Sequence, residues 1–470
     1  MLHPDRFFPA DPSTRDIARR LFNEVSGLPL ICPHGHTEPS WFAENQQFPD
    51  PTELLIIPDH YILRMMVSQG VPHAQLGVRT RDGTPVEEDR RGIWRLFAEN
   101  YHLFRSTPVR HWMDFTLETL FEVETPLTAA NADRAYDKIA ETLAQPEFKP
   151  RALFETFGIE ILSTTDSCLD DLSYHKVLRD SDWSGRVVPT YRPDQVTNPD
   201  VVGFAENIAR LGEITREDTS NWQGLLAAHR TQRQAFIALG ATATDHGHPT
   251  AQTADLGNSE RQRLLDAVLS GGVCDEDKEL FRAQMLTEMA RMSLEDGLVM
   301  QLHPGSRRNH SAEIFTRHGA DMGFDIPGPT NYVDALKPLL NAHGHDPRLT
   351  LILFTLDETA YGRELAPLAG AYPCLRLGPA WWFFDSPDGM MRYRELTTET
   401  AGYYNTVGFN DDTRAFPSIP ARHDMARRID CAYLAKQVAE HRLGEDEARE
   451  VAIDLAYRLP KRAYGYEAAE

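Results

Sequence analysis

The sequence has few cysteines, a shortage of positive charge and no long apolar run, and each shortage removes a class of protein. Its five cysteines, Cys32, Cys168, Cys274, Cys374 and Cys431, are scattered over 470 residues without a CxxC. That count excludes a disulfide framework and a cysteine-rich zinc site, and points to a reducing compartment. Basic residues number 48 against 70 acidic ones, a net charge of −22. A nucleic-acid binder needs a basic face to neutralise phosphates, and an anionic membrane attracts basic segments, so neither partner is expected. An anionic small molecule stays allowed, because a few buried arginines can dominate a pocket in an acidic protein. No stretch of about 18 apolar residues exists to span a membrane. The N-terminal segment MLHPDRFFPADPSTRDIARR has no apolar core of a secretory signal. A cytoplasmic protein is the expectation.

No internal repeat or low-complexity tract interrupts the chain, which alternates short apolar runs with longer amphipathic stretches. Length alone allows two to three domains, although an α/β barrel exceeds 200 residues as one unit. Ile17, Leu21, Phe22 and Val25 share a helical face that stops near Gly27, and LPLICP (28–33) reads as a buried strand. Residues 50–157 offer helices and loops only, around HYILRMMVSQG, IWRLFAENYHLF, HWMDFTLETLFEV and ANADRAYDKIAETLAQ. Strand and helix then alternate, with strands predicted at 159–165, 186–192, 241–247, 298–304, 349–356, 375–383 and 405–411. With the first strand this makes eight, the count of a (β/α)8 barrel. The predicted organisation is residues 1–49 as entry helix and first strand, 50–157 as a helical insertion, and 158–470 as the rest of the barrel. A doubly wound open sheet is the alternative, but no G-x-G-x-x-G follows any strand.

In such a barrel the reactive groups gather at the C-terminal strand ends. Those ends carry His34 and His36, Thr165 and Asp166, Arg192, Asp245 and His246, His303, Trp381 and Trp382, then Asp411, Asp412 and Arg414; the sixth offers only Thr355 and Asp357. In an extended segment His34 and His36 point the same way, so two imidazoles can reach one metal ion. The alternative is a pair of surface histidines. Asp412, ending the last strand, is the natural carboxylate partner, unless it or Asp411 caps the next helix. Arg192 and Arg414 are placed to bind a carboxylate bidentately. His60 and Tyr61 begin a helix, where the plain reading is an aromatic packing contact with a capping histidine. Trp381 and Trp382 either stack on a sugar or plug the barrel.

Beyond these single residues, the chain resembles the uronate isomerases of the amidohydrolase superfamily. The resemblance rests on PHGHTEP (33–39), DHYILRMM (59–66), STTD (163–166), PTYRPD (189–194), QLHPGSRRN (301–309), GADMGFD (319–325), AWWFFDSPDGM (380–390), DDTRAF (411–416) and RHDMARR (422–428). It covers nearly the whole chain in order. PGSRRN after His303 and GFNDD before Asp412 are slight departures. The resemblance implies a metal-dependent hydrolase-type (β/α)8 barrel with an insertion after the first strand. It implies interconversion of glucuronate with fructuronate and of galacturonate with tagaturonate. It implies His34, His36 and Asp412 as ligands of one divalent ion, usually zinc, and catalytic or substrate roles for His60, Tyr61, Arg192 and Arg414. His303 matches a family histidine that is either a ligand or a substrate contact. A homo-oligomer acting on small hexuronates is expected.

Aldose–ketose isomerisation by proton transfer needs a base, an acid and a stabiliser of the enediolate. Asp412 or Tyr61 is the expected base, with His60 tuning the phenol, which titrates near 10 unperturbed and so needs help from His60 or a nearby cation. Arg414 is placed to stabilise the enediolate, Arg192 to hold the substrate carboxylate, and His303, Trp381 and Trp382 to touch substrate. A metal-dependent hydrolase would share the histidines and Asp412 but has no need for the His60–Tyr61 pair and two arginines. A sugar-acid binding protein would have no use for a metal constellation.

Overall fold

The computed structural model describes residues 2–466. Its centre is a ring of short parallel strands: β1 (Leu30–Cys32), β2 (Ile159–Ser163), β3 (Val187–Val188), β4 (Ala243–His246), β5 (Val299–Leu302), β6 (Leu351–Leu353) and β7 (Leu375–Leu377). After a break, β2 resumes at Asp166–Ser167 and β3 at Tyr191–Arg192, and these pieces pair with each other. The register runs Ile31 to Ile161, Leu162 to Val187, Tyr191 to Thr244, Thr244 to Met300, Met300 to Leu351 and Leu351 to Leu375. The eighth place is held by an extended segment that bridges Leu377 at Thr406 alone. The ring then closes: the Asp412 N–H donates to the His34 carbonyl at 3.2 Å, and the His36 N–H to the Thr413 carbonyl at 2.8 Å. Closure excludes the open doubly wound sheet. Seven of the eight predicted strands form where expected, and the eighth is an extended segment with a single bridge. They are shorter than their apolar runs because the last residues of each run turn into the mouth of the barrel.

The two-residue period of a strand sorts its side chains. Ile31, Ile161, Val188, Ala243, Val299, Ile352 and Val407 pack together inside the ring, joined by Tyr464 and Tyr466 near the C-terminus. Leu30, Leu162, Met300, Leu351, Leu353 and Leu375 face outward into the main core beneath the helices. Between β1 and β2 the chain makes helices and loops, among them His60–Ser68, Arg90–Asn100, Pro108–Phe115 and Ala132–Leu143. Asp59 caps the first of these by accepting from the N–H groups of Tyr61 and Ile62, as an N-cap aspartate does. That cap holds His60 and Tyr61 at the barrel mouth. After β5 the chain makes a small hairpin, Ser306–Arg307 against Ile326–Pro327, which the sequence pattern did not suggest. Among the described residues, no helix is long and apolar enough to cross a membrane.

Candidate active site

A cavity of about 250 Å³ opens over the C-terminal strand ends. It is lined by His34, His36, His60, Tyr61, Arg192, His303, Trp381, Trp382, Asp412 and Arg414, which brings every predicted site residue to one place. The cluster draws on β1, β3, β5, the segments after β7 and the eighth segment, and the first insertion helix. Side chains separated by hundreds of residues in sequence meet because the barrel puts all its strand ends on one face.

His34 and His36 present rings 5.4 Å apart and nearly perpendicular. Their Nε2 atoms lie 3.5 and 3.3 Å from Asp412 Oδ1. Donors about 2.0–2.2 Å from a tetrahedral ion are separated by edges of about 3.3–3.6 Å, so these spacings fit one divalent ion. Asp412 Oδ2 is taken by the Trp381 indole N–H at 2.9 Å, whereas Oδ1 is buried without a hydrogen-bond partner. The orphaned oxygen is thus the one aimed between the imidazoles. Burial alone would raise the Asp412 carboxyl, but the facing imidazoles outweigh it and hold the group well below the usual carboxylate range. Burial pulls His36 down to about 4, leaving it neutral and able to ligate. Asp412 itself adopts φ of 44°, a left-handed conformation that costs a non-glycine residue. Trp382 and Asp321, also on the cavity wall, have φ of 52° and 62°.

The second layer is ionic. Asp245 Oδ1 lies 2.6 Å from His303 Nδ1, and its Oδ2 3.2 Å from Arg192 Nη1. Arg192 Nε also donates to Asp194 at 2.8 Å. The His303 ring packs against both His34 and Phe354, with centroids 4.7 and 3.9 Å away. Arg414 is less committed, with its nearest carboxylate, Asp321, 3.6 Å away. Trp381 is a holder of Asp412, and its ring belongs to the barrel interior. Trp382 stands at the mouth beside His60, 5.4 Å between rings. Burial and then the Arg414 charge lower His60 to about 3, so it is neutral at physiological pH. It therefore brings no positive charge to Tyr61. The cation beside Tyr61 is Arg422, on the helix Ile419–Ala439. Sequence reasoning quoted the segments holding Arg422, Asp385 and Asp321 but gave these residues no role. Nothing in a linear pattern distinguishes an arginine in the first turn of a long helix from a surface one.

The fold and site define a class: an enzyme built on a closed (β/α)8 barrel of the amidohydrolase type, with paired histidines after the first strand and a carboxylate after the last that together could hold a metal ion. The chain belongs to the glucuronate isomerase family, whose sequence model matches residues 11–464, and is an enzyme of the isomerase class. It is 62% identical over 464 residues to a uronate isomerase of Rhizobium meliloti, covering 99% of each chain. The crystal structure of a glucuronate isomerase from Caulobacter crescentus superposes with a TM-score of 0.98 at 55% identity, over 100% of this chain and 98% of that one. A uronate isomerase structure from Thermotoga maritima matches with a TM-score of 0.91 at 27% identity, covering 99% of both chains.

Proposed function

We propose that the protein is a uronate isomerase that interconverts glucuronate with fructuronate, and galacturonate with tagaturonate, by moving a proton between C2 and C1 through a cis-enediolate. The observation that carries this reading is the meeting of a three-donor ligand set with two arginines and a tyrosine on one cavity wall. His34, His36 and Asp412 would hold one divalent ion, zinc by the nature of the donors. Such an ion, when bound, polarises a substrate oxygen and favours developing negative charge.

The remaining work falls to the chain's own groups. Arg192 holds the uronate carboxylate; Asp194 and Asp245 fix its head in place, so orientation is prepaid before substrate arrives. Tyr61 is the better proton carrier of the two expected bases. One Asp412 oxygen accepts from the Trp381 N–H, the other is aimed between the imidazoles where the ion would sit, and the carboxylate is held weakly basic. Ionised, the Tyr61 Oη takes the C2 proton as the C1–C2 double bond forms and O1 takes up the negative charge; the O2 hydroxyl proton passes to O1, and the tyrosine then delivers its proton to C1 as the C2 carbonyl forms. Arg414, whose ion pair with Asp321 is long at 3.6 Å, faces the enediolate oxygens. Neutral His60 and Trp382 wall off water, and His303 with Asp245 supports the face of His34. All five cysteines are unpaired, which supports a reducing compartment, the cytoplasm, as the working location. The hydrolase alternative leaves Tyr61 and the two arginines without a task.

Turnover in D₂O tests the reading. An isomerase working by proton transfer washes solvent deuterium into C1 or C2 of recovered sugar. Hydrolysis of an ester or amide without any exchange into uronates would sink the proposal.

A further inference from the structure

Arg422 is the buried cation of the cavity wall that neither ligation nor substrate binding uses. It is 4% exposed. Its Nη1 donates to Asp385 Oδ2 at 2.9 Å and to the Asp411 carbonyl at 3.0 Å. One face of the guanidinium lies on the Trp112 ring, with Cζ 3.7 Å from the centroid, and the Tyr61 ring is 5.8 Å from the same atom. Tyr61 and Trp112 meet edge to face at 5.7 Å. The arginine is thus clamped by a carboxylate, a carbonyl and an indole, and its Nε is buried without a partner.

We propose that Arg422 is a positioning residue for the proton transfer: it fixes a desolvated positive charge beside the Tyr61 ring so that the phenol can exchange its proton during turnover. This rests on the reading of Tyr61 as the proton carrier. The groups facing Tyr61 are few. Asp412 comes from the eighth segment, Asp385 from the segment after β7, and Asp59 from the tyrosine's own cap, all three anionic when ionised. His60 is its neutral neighbour, and Arg64, one turn along the same helix, stacks on Phe383 instead. Burial drives the phenol well above its ordinary value; the three carboxylates push the same way, and Arg422 opposes them. The Arg422 Cζ lies 5.8 Å from the Tyr61 ring centre, and unit charges about that far apart at an effective dielectric of about 20 interact by roughly two pKa units.

The test is a pH profile combined with a double-substitution cycle, with metal content measured on each protein. Arg422→Met should move the Tyr61-dependent limb of kcat/KM upward by about one to two pH units. Arg422→Lys, which keeps the charge, should return it to within about half a unit of wild type. In a Tyr61→Phe background, Arg422→Met should cost less than about threefold more, since residues acting through one hydroxyl are not additive. Should Arg422→Met fail to fold, Arg422→Gln carries the same comparison. An unmoved limb, a full multiplicative loss on top of Tyr61→Phe, or loss of bound metal, which would show action through Asp411 and Asp412, overturns the proposal. Wild-type turnover by Tyr61→Phe overturns the reading of Tyr61 itself, and the Arg422 role with it.

Discussion

The tripeptide His-Gly-His ends two barrel strands, at 34–36 after β1 and at 246–248 after β4, and only the first lines the cavity. Both are nearly perpendicular ring pairs, with centroids 5.4 and 6.1 Å apart, and each has an aspartate within ligand range. The difference lies in what else touches the carboxylate. Asp412 Oδ1 has no hydrogen-bond partner. Asp194 is consumed: Oδ2 accepts from Arg192 Nε at 2.8 Å, and both oxygens take the Gly247 N–H at 3.1 Å. A dication there would face the guanidinium at close range. His246 and His248 turn their Nε2 atoms to Thr244 and Thr197 at 3.0 and 3.1 Å. One motif therefore builds a ligand set, and its twin anchors the arginine that the same cavity needs. Gly247 matters to that anchoring, because a Cβ there would lie 2.4 Å from Arg192 Nη2. A third copy, at 343–345, closes the helix Val333–His343, where neighbours two apart do not share a face.

The largest effect should separate the twins directly. His34→Ala with His36→Ala should lower uronate turnover by at least about 10³-fold, since the ligated ion contributes several kcal/mol. His246→Gln with His248→Gln should stay within about tenfold. Equal losses in steady-state turnover would erase the distinction. Within the first region, ligation and proton transfer should come apart. Tyr61→Phe should cost about 10²–10⁴-fold in turnover, the usual scale of one acid–base group, with metal content and melting temperature unchanged. Asp412→Asn should lose both activity and metal. A smaller effect belongs to the Trp381 hydrogen bond: Trp381→Phe should weaken metal affinity by about 10–100-fold, as outer partners of a ligand do. Competition with a chelator reads it, and an unchanged affinity would reduce Trp381 to packing.

The smallest effect concerns the second region and stability. Burial lowers His246 to about 3 and His248 to about 4, from 6.5. With the folded values depressed, the unfolded chain binds protons that the folded chain refuses as pH falls below about 6.5. Stability should therefore decline with acidification by about 2 kcal/mol per ring by pH 5, and be unaffected by these rings above about 7. The His246→Gln, His248→Gln protein should show a flatter acid limb in denaturant titrations than wild type. An equally steep limb would mean that these rings are not neutral in the native state.

Much of this was legible in the sequence. Eight apolar runs with chemical residues at their ends fix a barrel, since strand ends converge whatever the loops do. HGH after β1 and DDTR at the close mark the ligand set for the same reason. The eighth strand was the hardest to read for length: 405–411 forms a single bridge, at Thr406, because the residues after it turn early to bring Asp412 to the histidines. The twin motif shows the limit of pattern. Asp245, His246 and Gly247 stood at a strand end like their counterparts, and only the fold reveals Arg192 lying against Asp194. Arg422 was out of reach in the same way. Its position in the first turn of the helix Ile419–Ala439 carries no local signal, and its role depends on Trp112 and Tyr61 arriving from an insertion more than 300 residues earlier.

Metal content, measured side by side on the two substituted twins, tests the account most directly. The protein carrying His246→Gln and His248→Gln should retain one divalent ion per chain like the wild type. The protein carrying His34→Ala and His36→Ala should retain close to none. Full occupancy in the second protein, or loss in the first, would contradict the assignment of the ligand set to the β1 motif and Asp412.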